Sequence, residues 1–550
     1  MAARLVTSTR FTNGKLNISV ELSGPVPDTV ELLVDGAPVL TLLPPYRIRW
    51  DTQELDEGER ELLVRLTLGS RVTVSDPVWL TVDRTPPKWV SGKPAPADQL
   101  VPVSQVVQAV FSEPLDPASV TADSIKLVAG TEVIPTDAEL SARGTEVNLR
   151  PRTKLPVETL VEVAIGQVAD RAGNPIQPLE STWSWFVPGF LPLGEPLTAG
   201  SPASARADYL QIQTDSAGNP WVVWVDSETK SAHVRRWNGM SWEQVGTTLE
   251  SGVEDSLLSV LSMRLDSEGF PVIAWVEQRD RSIRVHRWTG TQWQKMGSPF
   301  ALPVWLPYPI LRTDGHGQWF LAFTDGYDAG SRAYVWKWLG DRWDLLGSDF
   351  KVDPTKSLSG MGLEIDTTGM PVVAWTERDA SINDTTYMSR WSEGQWRQIT
   401  NPMAGLLKPY GFDGQGRLIL STLAVDGKGA CPQIWARDGA EWNVMGAPIP
   451  GLFSGETIAR VKGFFVTEGT VAVVIEEPEA PGLRNSFFAS EFREGVWRPR
   501  GGILRPTPGT YAYDASFVMS QSGRLYFARI EPSGPPPEAA RPIRVYAPND

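Results

Sequence analysis

An all-β chain is predicted, with two small sandwich modules ahead of a ring of repeated four-stranded sheets. Three observations predict it. From the start, short runs alternate apolar and polar residues, the two-residue period of a half-buried strand. In residues 1 to about 83 no 3.6-residue period of an amphipathic helix appears. Beyond about residue 185 one pattern returns with a period near 50 residues, the mark of a repeat architecture.

A chain of 550 residues is too long for one core, so several domains are expected. Hydrophobic content of 41% and charged content of 21% are ordinary for globular chains. Tryptophan is not ordinary: 19 of the 23 lie from Trp185 onward, which ties them to the repeat. A formal net charge of -14 argues against nucleic acid and anionic membrane surfaces as partners. Cys431 stands alone, so no intrachain disulfide forms. No apolar run reaches about 18 residues, so no membrane-spanning helix is expected. The N-terminal MAARLVTSTRF has no apolar leader core, so the expectation is either that the chain stays inside the cell or that a leader was removed and Met1 added in cloning.

Residues 1–83 read as about seven strands. KLNISVEL and TVELLV are two of them, and Asp35-Gly36 favours a tight hairpin after the second. The run YRIRWDTQELDEGERELLVRL and the closing VDRTPP resemble a bacterial immunoglobulin-like domain. Residues 84–186 form a second all-β module with other motifs. There PADQLVPVSQVVQAVFSEPLDPASV, VNLRPRTKL and VEVAIGQVADRAGNPI resemble the bacterial Ig-like domain of surface-layer proteins, including its Asp-x-x-Gly-Asn turn at Asp170 to Asn174. Such modules usually serve as spacers on exported proteins, so the resemblance implies an extracellular or cell-surface location.

Residues 187–550 carry the repeat: an apolar run, Asp-x-x-Gly, a second apolar run, a basic-Trp pair, then Trp-x-x-x-Gly. The turn glycines are Gly218, Gly269, Gly317, Gly369, Gly416, Gly469 and Gly523, seven units in all. Each unit has room for four short strands, the content of one β-propeller blade. The last unit ends at RPIRVYAPND without its Trp-x-x-x-Gly strand. The missing strand sits at the other end of the array, where WFVPGFLPLGEPL aligns with WNGMSWEQVGTTL. The first strand is therefore expected to complete the last blade of a seven-bladed propeller and remove an open sheet edge. The pattern resembles the tryptophan-rich propeller repeats of bacterial surface proteins, and more loosely the Asp-box of sialidase-like propellers, from which its spacing departs.

Eight residues after the turn glycine comes an acid in six of the seven units, including Asp226, Glu277, Asp325 and Glu377; the fifth has Ala424. These acids end the second strands, so they should ring one face. They are either ligand contacts or framework partners of the basic residue before the third-strand tryptophan, such as Arg236, Arg287 and Arg390. Trp242, Trp293, Trp343, Trp396, Trp442 and Trp497 are expected to fill space between neighbouring blades rather than stack on sugars. Trp305 and Tyr308 lie in the Pro-rich connection PFALPVWLPYP outside the repeat, and loops on a rigid scaffold often carry function. The ligand-binding candidates are thus Trp305, Tyr308, Glu277, Glu377, Asp226 and Asp325.

No catalytic residue, metal site or cofactor is predicted. His233, His286 and His316 show no metal-ligand spacing, and an Asp-x-x-Gly turn offers one carboxylate where calcium needs six or more oxygens. Neither a nucleophile elbow nor a phosphate-binding glycine loop occurs. The expected function is a monomeric, non-enzymatic secreted or cell-surface binding protein. Its Ig-like stalk would present a propeller face to a glycan or protein ligand. The alternative is a glycan-active hydrolase or lyase with carboxylates in the propeller funnel.

Overall fold

The computed structural model describes every residue except 180, 201–204, 252–255, 303–307, 351–352, 408, 427–428, 453–456, 468, 479–484, 506–514 and 533–539. The described residues form strands and turns with no α-helix, as the two-residue periodicity predicts. Two compact units emerge, Met1–Pro188 (with Asp550) and Gly189–Asn549.

The first unit holds two sandwiches. In the first, a three-stranded sheet of Ala2–Thr7, Lys15–Ser23 and Arg47–Asp51 faces a six-stranded sheet built around Gly58–Leu68. Alternate residues point inward: Leu16, Ile18 and Val20 from one sheet meet Leu32, Leu62, Val64 and Leu66 from the other. The predicted hairpin is present at Asp35 and Gly36, with φ of 49° and 82°, the twist that two-residue turns need. The second sandwich packs two four-stranded sheets over Val107, Leu127, Leu149, Val161 and the fully buried Trp183 and Trp185. Its Asp170–Asn174 turn is tied down internally, since Asp170 Oδ1 accepts the N–H groups of Ala172 and Asn174. The same Asn174 bridges to the first sandwich: its Nδ2 donates to the Asp83 carbonyl at 2.9 Å, and its Oδ1 accepts from Asn13 Nδ2 at 3.0 Å.

Among the described residues, the second unit contains seven sheets, each with an antiparallel path of four strands. Their first strands touch in cyclic order, and that of the first sheet, Ala207–Thr214, meets that of the last, Ala515–Met519. The sheets therefore surround an axis, the arrangement of a β-propeller. The last sheet runs Phe190–Pro192, Ile543–Pro548, Leu525–Ile530, Ala515–Met519, so its outer strand comes from the N-terminal end of the unit. Leu193 N–H donates to the Val545 carbonyl at 2.7 Å, and Leu197 and Ile543 exchange backbone bonds. Pairing of this kind leaves no open edge at the seam.

Two local devices repeat. In the turn, Asp266 Oδ1 accepts the N–H groups of Glu268 and Phe270 at 2.9 Å each while Gly269 takes φ of 82°. Asp215, Asp314, Asp366 and Asp413 do the same in their sheets. The second device joins sheets. Trp293 Nε1 donates to the Thr247 carbonyl of the preceding sheet at 3.0 Å, and Trp288 and Trp293 pack at 5.3 Å over Gly246. A Cβ at Gly246 would lie 2.3 Å from the Trp288 ring, so only glycine fits beneath this pair. Trp242, Trp343, Trp396 and Trp497 make the equivalent bonds to Leu193, Met296, Leu346 and Met445.

Candidate functional site

Five of the six acids that end the second strands are buried. Asp226, Glu277, Glu377 and Glu477 are at most 1% exposed and Glu531 5%. Asp226 is a bonding hub: it accepts the N–H groups of Arg206, Glu228 and Thr229, each at 3.0 Å. Beside it His233 stacks on Trp224 at 5.2 Å, its Nε2 within 3.1 Å of the Ser231 and Thr229 hydroxyls. Burial pushes the His233 pKa down, and the nearby Asp226 opposes that shift. Asp325, partly exposed, accepts from Arg332 N–H and, at 2.9 Å, from the Tyr334 hydroxyl. The Tyr334 pKa is pushed up to about 12, first by burial and then by that bond. Glu377 accepts from Trp375 Nε1 at 3.4 Å, and Trp375 stacks on Tyr387. Glu531 bonds Arg529 and the Tyr546 hydroxyl, with Arg544 at 3.2 Å.

Glu277 differs. Its side chain is fully buried and, among the described residues, neither carboxylate oxygen has a hydrogen-bond partner; Arg284 Nε lies 3.9 Å away. His286 stacks on Trp275 at 4.7 Å, and its pKa falls to about 4 through burial and then the charges of Lys295 and Arg284.

The arginines expected to pair with these acids bind the turn aspartates instead. Arg287 Nε reaches Asp266 at 2.6 Å, Arg390 Nε reaches Asp366 at 2.5 Å and Arg236 Nη2 reaches Asp215 at 3.3 Å. Antiparallel register is the reason. Arg236 stands across from Trp221 at the start of the second strand, whereas Asp226 stands across from Ser231. In the first, second and fourth sheets one end thus holds an Asp–Arg clamp and the other the buried acid.

Of the loop candidates, Tyr308 is 58% exposed, its ring 6.5 Å from that of Tyr327. Trp305 lies outside the described residues. Among the described residues, carboxylates occur along the innermost strands at two places, Asp208 and Glu364. Asp208 pairs with Arg541 at 2.7 Å, and Glu364 takes two bonds from Arg312 at 3.1 and 2.7 Å.

Sequence reading missed two features. Between the first and seventh sheets lies a cleft of about 450 Å³ lined by residues 194–198, Arg235, Trp237 and 240–242. The Trp-x-x-x-Gly spacing marked its walls but not that they stand apart. In the first unit, Asp83, Glu113 and Asp170 bring one oxygen each within 4.8 Å of one another. Burial, then the charges of Asp83 and Asp170, raises the Glu113 pKa to about 7. These carboxylates are far apart in sequence, so no local motif announces them.

No helix of the described residues is long and apolar enough to cross a membrane. No curated protein matches the chain in sequence. Among solved structures, the polysaccharide lyase Uly1 is similar at 9% identity and a TM-score of 0.40, over 64% of this chain and 91% of that one. A lectin of Aleuria aurantia is similar at 13% identity and a TM-score of 0.34, over 58% and 100%. An α-L-arabinanase of Penicillium chrysogenum is similar at 12% and 0.33, over 56% and 98%. Scores of this size carry no argument about function. Residues 83–186, the span of the second sandwich, match the bacterial Ig-like domain family.

Proposed function

We propose that the chain is a non-enzymatic binding protein of the bacterial surface or exterior. In this reading residues 1–83 and 84–186 are Ig-like stalk modules, the second of surface-layer type. Residues 187–550 are a seven-bladed propeller that presents a glycan or protein ligand-binding face. The carrying observation is the state of the carboxylates nearest the axis. Hydrolysis of a glycosidic bond uses two carboxyl groups, one to give a proton and one to attack or to activate water. On the innermost strands of the described residues, Asp208 and Glu364 are each held in an ion pair with an arginine. An acid whose oxygens are so engaged by a guanidinium is not free to act on a glycosidic bond without first giving up that pairing. Of the acids at the second-strand ends, Asp226, Glu277, Glu377, Glu477 and Glu531 are buried in the framework, and the partly exposed Asp325 is bonded to the Tyr334 hydroxyl. Ligand contact then falls to exposed loop aromatics such as Tyr308 and to the clefts between blades. A glycan array probed with the intact chain, with a pull-down from cell-envelope fractions, tests the reading. Retention of a glycan or an envelope protein without turnover supports it; release of shortened or unsaturated sugars during incubation overturns it.

A further inference from the structure

The cleft between the first and seventh sheets has features of a built site. Its volume of about 450 Å³ lies within the range of small-ligand clefts, roughly 300–1,000 Å³. Trp237 and Trp242 form its aromatic wall, with ring centroids 5.4 Å apart. Both are only partly buried, so ring area remains open to the cleft. Trp242 is fixed by its Nε1 bond to the Leu193 carbonyl, and Trp237 by close packing on Gly194. The wall is therefore rigid before any ligand arrives.

Arg235 is the second feature. It is half-buried in the same lining; the Glu195 carboxylate belongs to that lining too, but among the described residues no carboxylate lies within ion-pair distance of Arg235. Burial alone pushes its pKa down, with no neighbouring charge to offset the loss of water. Other arginines of the repeat are clamped to aspartates, as Arg236, Arg287 and Arg390 are. Nor is the charge a property of the repeat. The equivalent positions, two before the end of the basic-Trp pair, are His286, Trp336, Ser389, Trp435 and Ser490. His286, with its pKa near 4, is neutral at pH 7. The cation belongs to this cleft alone among them.

We propose that this cleft binds an acidic saccharide, a pyranose unit carrying a carboxylate or sulfate. The C–H face of the sugar lies on the electron-rich tryptophan wall. Its anionic substituent takes paired N–H bonds from the Arg235 guanidinium, whose planar fork matches both oxyanions. Thr198 and Ser241, also in the lining, face the ring hydroxyls. The proposal rests on the reading of the propeller as a binding scaffold and names the ligand class and place.

Calorimetric titration of the full chain tests it with three probes: tetragalacturonate, a sulfated galactotetraose and neutral galactotetraose. At least one acidic probe is expected to bind at least about tenfold tighter than the neutral one. Arg235→Gln should bring that affinity down to the neutral level with an unchanged thermal melt, and Arg235→Lys should restore part of it. Equal affinity for acidic and neutral probes, or an unaffected Arg235→Gln, overturns the assignment while saccharide binding stands. Failure of both acidic probes, with an envelope protein retained in the pull-down, overturns the assignment and leaves the binding scaffold intact.

Discussion

Arg437 donates to the carbonyl of Ile399, the neighbour of Thr400. By repeat position Thr400 and Arg437 stand where four other sheet boundaries pair a glycine with a tryptophan: Gly194 with Trp237, Gly246 with Trp288, Gly297 with Trp338 and Gly347 with Trp391. The exchange is reciprocal. Where the glycine is lost, the indole that needs its space is lost too, and Arg437 instead donates to the Ile399 carbonyl at 2.5 Å. Arg437→Trp alone should therefore press a ring on the Thr400 side chain and cost about 1–3 kcal/mol. The double change Thr400→Gly with Arg437→Trp should recover most of that. Denaturant melts of the three chains measure the coupling. A single Arg437→Trp variant as stable as the parent would show that the glycine is not what seats the indole.

The buried acids should divide by their bonding. Asp226→Ala leaves the N–H groups of Arg206, Glu228 and Thr229 without that acceptor, so a loss of about 1–3 kcal/mol is expected. Glu277→Gln removes a charge that has no hydrogen bond, while Arg284 keeps Asp280 at 2.7 Å. That variant should be neutral or stabilised by about 1 kcal/mol. Thermal melts decide, and a strongly destabilised Glu277→Gln would mean the carboxylate has a partner that its surroundings do not reveal.

Glu113 gives the first unit a pH dependence of known sign. Its pKa of about 7 lies above the ordinary 4.5, so the folded chain keeps a proton that the unfolded chain releases. Stability from this group is full below about pH 4.5 and is lost as the pH rises to about 7. Glu113→Gln should therefore raise the melting temperature of this unit at pH 8 and leave it unchanged at pH 4. The gain is a few degrees at most, because solvent screens a partly exposed carboxyl. Equal effects at both pH values would remove Asp83 and Asp170 as the cause.

Much of the fold was legible because its signals are local. The Asp-x-x-Gly turn needs only a side-chain acceptor and a positive φ within four residues, and Asp266 and Gly269 supply both. The displaced strand was legible because Phe190 and Gly194 keep the repeat's spacing. The pairing of Arg236 with Asp215 rather than Asp226 also follows from antiparallel register, once strand ends are followed one strand further. The cleft at Arg235 was not legible. Its walls come from residues about 40 apart in sequence, and its width depends on how two sheets splay. The approach of Asp83, Glu113 and Asp170 likewise depends on how two sandwiches meet.

The ring closed by its own first strand is the claim on which both the fold and the cleft depend, since residues 190–193 complete the seventh sheet and lead into the cleft wall. Hydrogen–deuterium exchange of the strand Ile543–Pro548 tests it most directly, comparing the parent chain with one whose residues 190–193 are replaced by a Gly-Ser run. The account predicts that exchange there rises at least about tenfold, because the outer strand that caps its amides and carbonyls is gone. Protection of Ile543–Pro548 that is unchanged by the replacement would contradict it, since the seam would then be closed by something other than this strand.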